Sequence, residues 1–208
     1  MSKEAIIKSA TSALKGNKLK EASRDYKDLI KASKDNLLDE YIAMQSANKG
    51  IIIESSEANL TSDIKKILAE VKSQSTLYTL DTEKFIAPIK SECKLMPYDK
   101  SVDDMRDTLF STDTSIIKAE CGIADIGVFG VASSAKEPRL ASLITKNCIA
   151  ILERKNVVKS ISDGIAKMRG KNLPSNMILI AGPSRTADIE LKTVFGVHGP
   201  QVVYIVLV

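Results

Sequence analysis

The chain has no tryptophan, one histidine, three cysteines, and four phenylalanines and five tyrosines in 208 residues. Each scarcity closes off a class of function. So few aromatics leave no stacking platform for single-stranded nucleic acid, and the basic residues form no clustered stripe, so direct nucleic-acid binding is not expected. A single histidine, His198, excludes a multi-histidine metal cage. Cys93, Cys121 and Cys148 are far apart, odd in number and in no CxxC arrangement, which supports neither a disulfide framework nor a zinc or iron–sulfur site; they are expected as buried, reduced thiols. No window approaches the roughly 20 apolar residues of a membrane helix, and Met1 to Ala5 opens no signal-peptide core, so a cytoplasmic protein is expected. Neither a GxGxxG nor a GxxxxGK[ST] phosphate loop occurs.

What is present is an ordinary globular balance: 44% hydrophobic residues, and a net charge of +4 from 30 basic and 26 acidic side chains. That excess favours anionic ligands only weakly. Apolar residues at helical spacing from Glu21 to Asn48, with a shorter helix around Ser2 to Lys15, make residues 1–49 a charged helical region that stops at Lys49-Gly50. It is expected either to pack on the rest of the fold or to act as a docking arm. Residues 50–208 alternate short apolar runs with helical windows. Strands are expected at Ile51 to Ile53, Thr76 to Leu80, Lys94 to Pro97, Thr114 to Ile117, Ile126 to Ala132, Asn147 to Leu152, Met177 to Ala181 and Gln201 to Val208. Helices are expected at Thr61 to Lys72 behind a Thr or Ser cap, near Glu83 to Ser91, from Ser101 to Phe110 and from Ser160 to Gly170. This alternation predicts an α/β fold with a mostly parallel sheet and helices on both faces, the final run being a buried inner strand.

Chemically interesting side chains concentrate near the C-terminus. The run Met177 to Ala181 opens into Gly182-Pro183-Ser184-Arg185-Thr186-Ala187-Asp188-Ile189-Glu190, followed by Gly196-Val197-His198-Gly199-Pro200. Read alone, this is the carboxyl end of a parallel strand turning into a helix, where open α/β sheets bind ligands. Arg185 with the Ser184 and Thr186 hydroxyls suits a carboxylate or phosphate. The plainer alternative is that Arg185 pairs with Asp188 or Glu190 and fixes the turn. Asp188 and Glu190 converge with His198 only if the segment is irregular, in which case they form a carboxylate–imidazole group for proton transfer or a weak metal site.

The two segments resemble the LUD domain family, in particular its lactate utilization protein C branch, which closes with GPSRTADIE-like and GxHGP-like motifs. The likeness is residue for residue over Gly182 to Glu190 and covers Leu109 to Val208 well; the first hundred residues agree only in layout. A weaker echo runs through Ala119 to Gly127 and Pro138 to Leu143, departing from the family at Asp125, Ile126, Val128 and Thr145. The resemblance implies the three-layer α/β/α fold shared with glucosamine-phosphate deaminases, ribose-phosphate isomerases and coenzyme A transferases. It also implies a non-redox subunit of an L-lactate-oxidising complex, with no cofactor of its own and with iron–sulfur clusters in partner proteins. In that role Gly182, Ser184, Arg185, Thr186, Arg139 and Gly199 would bind a small anionic ligand, with His198, Asp188 and Glu190 near the chemistry. Glu120 compares with the glutamate nucleophile of coenzyme A transferases. The alternatives are a free-standing enzyme on a phosphorylated or coenzyme A-linked small molecule, or a non-catalytic scaffold.

Overall fold

The computed structural model describes residues 2–16, 36–89, 93–171, 173–187 and 193–208. Helix α1, Lys3–Gly16, has only exposed side chains among those described. Helix α2, Leu37–Ala47, is capped by the Asn36 side chain, which accepts from the Leu38 N–H at 2.8 Å, and it buries Glu40, Tyr41 and Gln45. It ends where Lys49 takes a positive φ of 71° before Gly50. The remainder of the long helical window, 17–35, lies outside the described residues.

Then follow β1, Ile51–Glu54; α3, Leu60–Glu70; β2, Ser75–Tyr78; α4, Glu83–Ile86; β3, Lys94–Pro97; α5, Val102–Ser111; and β4, Thr114–Ala119. Next come β5, Cys121–Ile123; β6, Val128–Ala132; β7, Asn147–Leu152; β8, Val157–Val158; α6, Ile161–Arg169; β9, Met177–Ile180; β10, Arg185–Thr186; β11, Val194–Phe195; and β12, Val202–Leu207. Ser101 caps α5 as expected, and Ser160 with Asp163 forms a full capping box on α6. Two helices differ from the sequence reading. α3 starts at Leu60 behind Asn59, not behind a Thr or Ser cap, and α4 is a single turn because Pro88, which has no N–H to donate, follows Ala87.

Six strands form one all-parallel sheet in the order β1-β12-β7-β4-β2-β3. Alternation splits its side chains between two cores. Ile117, Ala119, Cys148, Ala150, Leu152, Val203, Ile205 and Leu207 face Tyr41 of α2, Met105 and Leu109 of α5 and Phe129 of β6. Ile116, Ile149, Ile151, Tyr204 and Val206 face Leu60, Ile64, Ile67 and Leu68 of α3 and Ile86 of α4. Covered on both sides, the inner strands have no polar face, which is why they read as continuous apolar runs. β12 lies between β1 and β7, the inner position expected for it.

A second, four-stranded sheet, β8-β5-β6-β9, was not anticipated. The strand expected from Ile126 to Ala132 forms from Val128 as β6, after a 3-10 turn, Ala124–Ile126, and Gly127 at φ 58° that turn the chain back antiparallel to β5. Met177 to Ala181 is not the end of a buried parallel strand. It forms β9, antiparallel to β6 at the edge of this second sheet, with Met177 and Leu179 exposed. No helix start follows at Arg185, because Arg185 and Thr186 are β10, paired antiparallel with β11.

Candidate functional site

The GPSRT segment is held by its glycine. Gly182 has φ 76°, and a Cβ there would stand 2.3 Å from the carbonyl oxygen of Asn48, so only glycine lets the chain pass so close to the α2–β1 corner. Beyond it, the Ser184 N–H donates to the Pro200 carbonyl at 2.8 Å and the Gly196 N–H to the Ser184 carbonyl at 2.9 Å. The two motifs are thus clamped into one hairpin. Gly199 belongs to the same contact, since a Cβ on it would be 3.2 Å from that of Ser184. Pro200 leads into β12, and Gln201 donates to the Lys146 carbonyl just before β7. The hairpin therefore sits at the amino edge of the parallel sheet, opposite to the carboxyl edge expected from the sequence.

Arg185 and His198 are exposed, and Ser184 and Thr186 half-buried. The Arg185 guanidinium donates to the Ala181 carbonyl at 3.4 Å, a local bond, and the side chain is exposed among the described residues. His198 lines an open groove of about 530 Å³ with Thr112, Thr145, Lys146 and Gln201. Asp188 and Glu190 lie outside the described residues, and with them the question of their pairing to Arg185 or convergence on His198. Arg139 is exposed at the start of a 3-10 turn and lines neither this groove nor the cleft below.

Glu120 is elsewhere. It follows β4 directly, at the carboxyl edge of the sheet, with its N–H donating to the Gly130 carbonyl at 2.8 Å. Here a cleft of about 510 Å³ is lined by Asp81, Lys118, Glu120, Glu137, Lys167 and Arg169 among others. Glu137 is only 2% exposed, and its Oε1 has no hydrogen-bond partner among the described residues. Burial, reinforced by the neighbouring carboxylates of Asp81 and Glu120, pushes its pKa up to about 9. Asp81 likewise keeps one buried, unpartnered oxygen, and burial raises its pKa against hydrogen bonds from Thr79 and nearby backbone N–H groups. Burial opposes the Lys118 ammonium, but its bond to Glu153 at 3.1 Å and the charges of Glu120 and Asp81 outweigh that and hold it protonated.

Sequence reasoning found Glu120 and missed Asp81, Lys118 and Glu137. Only Lys118 carried a signal, a charge interrupting an otherwise apolar strand run. Among the described residues no group of three or more His, Cys, Asp or Glu side chains could hold a metal ion. Cys121 and Cys148 are buried, and burial raises their thiol pKa values to about 11 and about 12, so both are neutral near pH 7; Cys93 is half-buried. No helix among the described residues is long and apolar enough to cross a membrane.

Residues 38–208, beginning inside α2 and running through both sheets, match the LUD domain family. The chain is a LUD domain protein. This LUD domain is 34% identical to YkgG of Escherichia coli over 44% of the chain and 42% of that protein. It is 32% identical to a lactate utilization protein C of Oceanobacillus iheyensis over 46% of the chain and 43% of that protein. An uncharacterized protein of Neisseria meningitidis is 31% identical over 50% of the chain and 46% of its own length. The similarity thus spans less than half the length of each of these relatives. The LUD domain also superposes on the crystal structure of a DUF162 family protein from Deinococcus radiodurans with a TM-score of 0.56, covering 82% of this chain and 95% of that one. At 16% identity that likeness speaks to the α/β fold alone.

Proposed function

We propose that this LUD domain serves lactate utilization as a subunit without a redox centre of its own, acting with iron–sulfur partner proteins in the oxidation of L-lactate to pyruvate. In this reading the hairpin holds an anionic ligand. Arg185 clamps its carboxylate, Ser184, Thr186 and the backbone at Gly182 and Gly199 cradle it, and His198 accepts a proton with Asp188 and Glu190 nearby. The observation that carries the reading is the clamping of the two motifs into one hairpin that leaves the Arg185 guanidinium and His198 exposed together. Relatives named lactate utilization protein C supply the substrate. Removing two electrons from lactate needs an acceptor, and neutral buried thiols at Cys121 and Cys148 are poor cluster ligands, so the electrons are assigned to the partners.

The test is lactate-dependent dye reduction by the iron–sulfur partners with and without this protein, wild type and Arg185→Ala. Activity that requires the wild-type chain and collapses with the variant supports the reading; turnover indifferent to the chain sinks it. A second reading, a free-standing enzyme on a phosphorylated or coenzyme A-linked small molecule, is favoured by the position of Glu120 on a real cleft. Binding of such a compound to the isolated protein in preference to lactate would select it.

A further inference from the structure

We propose that the carboxyl-edge cleft is a second ligand site, distinct from the hairpin, that takes a small organic carboxylate between Lys118, Lys167 and Arg169 with Glu137 facing the bound anion. The place is the first argument. Parallel α/β sheets offer ligands the crevice beyond their carboxyl ends, and this cleft opens where β2 and β4 end, against the end of α6.

The second argument is Glu137. A side chain this buried with an oxygen lacking a partner among the described residues is costly, and such orphaned groups in a cavity wall signal a missing hydrogen-bond partner. Asp81 presents a second orphaned oxygen to the same space. The third is charge and shape. Lys118, Lys136, Lys167 and Arg169 give the wall four cations, while Met168, Leu173 and Pro174 add an apolar surface for a short hydrocarbon body. At neutral pH Glu137 carries its proton and donates to a carboxylate instead of repelling it. A doubly charged phosphate would meet the carboxylates of Asp81 and Glu120 and fits this wall less well.

The experiment is calorimetric titration of the full chain with pyruvate, L-lactate, acetate and inorganic phosphate. We expect at least one of the three carboxylates to bind with a millimolar or tighter Kd and phosphate more weakly. The double variant Lys167→Ala/Arg169→Ala should weaken that carboxylate by about tenfold or more, through lost charge-assisted bonds. Lys65→Ala, an exposed charge on α3, serves as the control for net charge. Wild-type binding should fall as pH rises through about 9, where Glu137 ionises beside Asp81, Glu120, Lys118 and Cys148, whereas Glu137→Gln should remain flat over that range. Its unfolding temperature checks that the variant is folded. The proposal is overturned if no carboxylate binds, if phosphate binds tighter, if the pH profiles of wild type and Glu137→Gln coincide, or if Arg185→Ala abolishes binding while the α6 double variant does not. The last outcome would leave the hairpin reading standing, so the two can fail separately.

Discussion

The two edges of the six-stranded sheet are built on opposite plans. At the amino edge, the hairpin collects polar groups from adjacent stretches of sequence, displays Arg185 and His198 to solvent, and is fixed mainly through backbone: a glycine pressed on Asn48 and two main-chain bonds between the motifs. At the carboxyl edge, Asp81, Lys118, Glu120 and Glu137 come from three segments, and two carboxyl oxygens are buried without partners among the described residues. A surface that presents charge costs little stability and can be rebuilt around a partner. A cleft that buries ionisable groups stores unfavourable energy that a ligand can relieve. The difference lies in burial of charge: the amino edge keeps its ionisable groups in solvent, and the carboxyl edge draws Glu137 and an Asp81 oxygen out of it.

The largest effect expected from breaking this contrast is at Gly182. Alanine there must hold φ 76° and place its Cβ 2.3 Å from the Asn48 carbonyl oxygen, so we expect a loss of about 3 kcal/mol or more and a Tm lower by on the order of 10 °C. A thermal melt checks it; an unchanged Tm would mean that the hairpin is not anchored on the α2–β1 corner.

Next is Glu137→Gln at the carboxyl edge. A carboxyl group whose folded pKa is raised from 4.5 to about 9 contributes its stability fully below 4.5 and loses it progressively up to about 9, because the unfolded chain ionises first. The glutamine variant should therefore melt several degrees above wild type at pH 8 to 9, and the gap should close toward pH 4. A pH-independent difference would remove Glu137 from the list of buried acids.

Glu153 works in the opposite sense. Hydrogen bonds from Lys155 at 2.7 Å and Lys118 at 3.1 Å hold its pKa down to about 2, so its contribution is present above 4.5 and is lost as pH falls through about 2. Both partners are partly exposed, and Glu153→Gln should cost under about 1 kcal/mol at pH 7 and nothing measurable near pH 2. Denaturant titrations at the two pH values provide the comparison.

The smallest stability change belongs to Arg185→Ala, within about 0.5 kcal/mol, since among the described residues the side chain is exposed and donates one long local bond. If the hairpin is as externally oriented as its geometry implies, this variant damages function while leaving the Tm alone. A large Tm drop would mean instead that Arg185 is a structural clasp.

The parallel sheet was legible because burial on both faces writes itself into the sequence. Asn147 to Leu152 and Val202 to Leu207 have nearly unbroken apolar text, and their strands fall where that text predicts. β9 was misplaced for the same reason. Met177 to Ile180 is just as apolar, yet at the edge of the second sheet two of its side chains are exposed, and four residues cannot distinguish a middle strand from an edge one. The hairpin could be found because Gly182 to Thr186 and Gly196 to Pro200 are close in the chain. Its direction relative to the sheet could not, since that depends on which sheet β9 joins. The cleft was nearly invisible for the converse reason. Asp81 and Glu137 are ordinary surface-type residues in the text, and only the fold puts them within electrostatic reach of each other.

The position of β12 between β1 and β7 has a consequence for how this chain is made. During synthesis the five other parallel strands emerge before Val202, and until it arrives β1 has no neighbour in the sheet and β7 presents an open edge of main-chain donors and acceptors. Until β12 pairs, the sheet consists of β1 alone and a four-stranded piece, β7-β4-β2-β3, and it closes when β12 enters between them. Pairing Ile51–Glu54 with Val202–Leu207 across most of the sequence makes this a long-range, intrinsically slow step of folding.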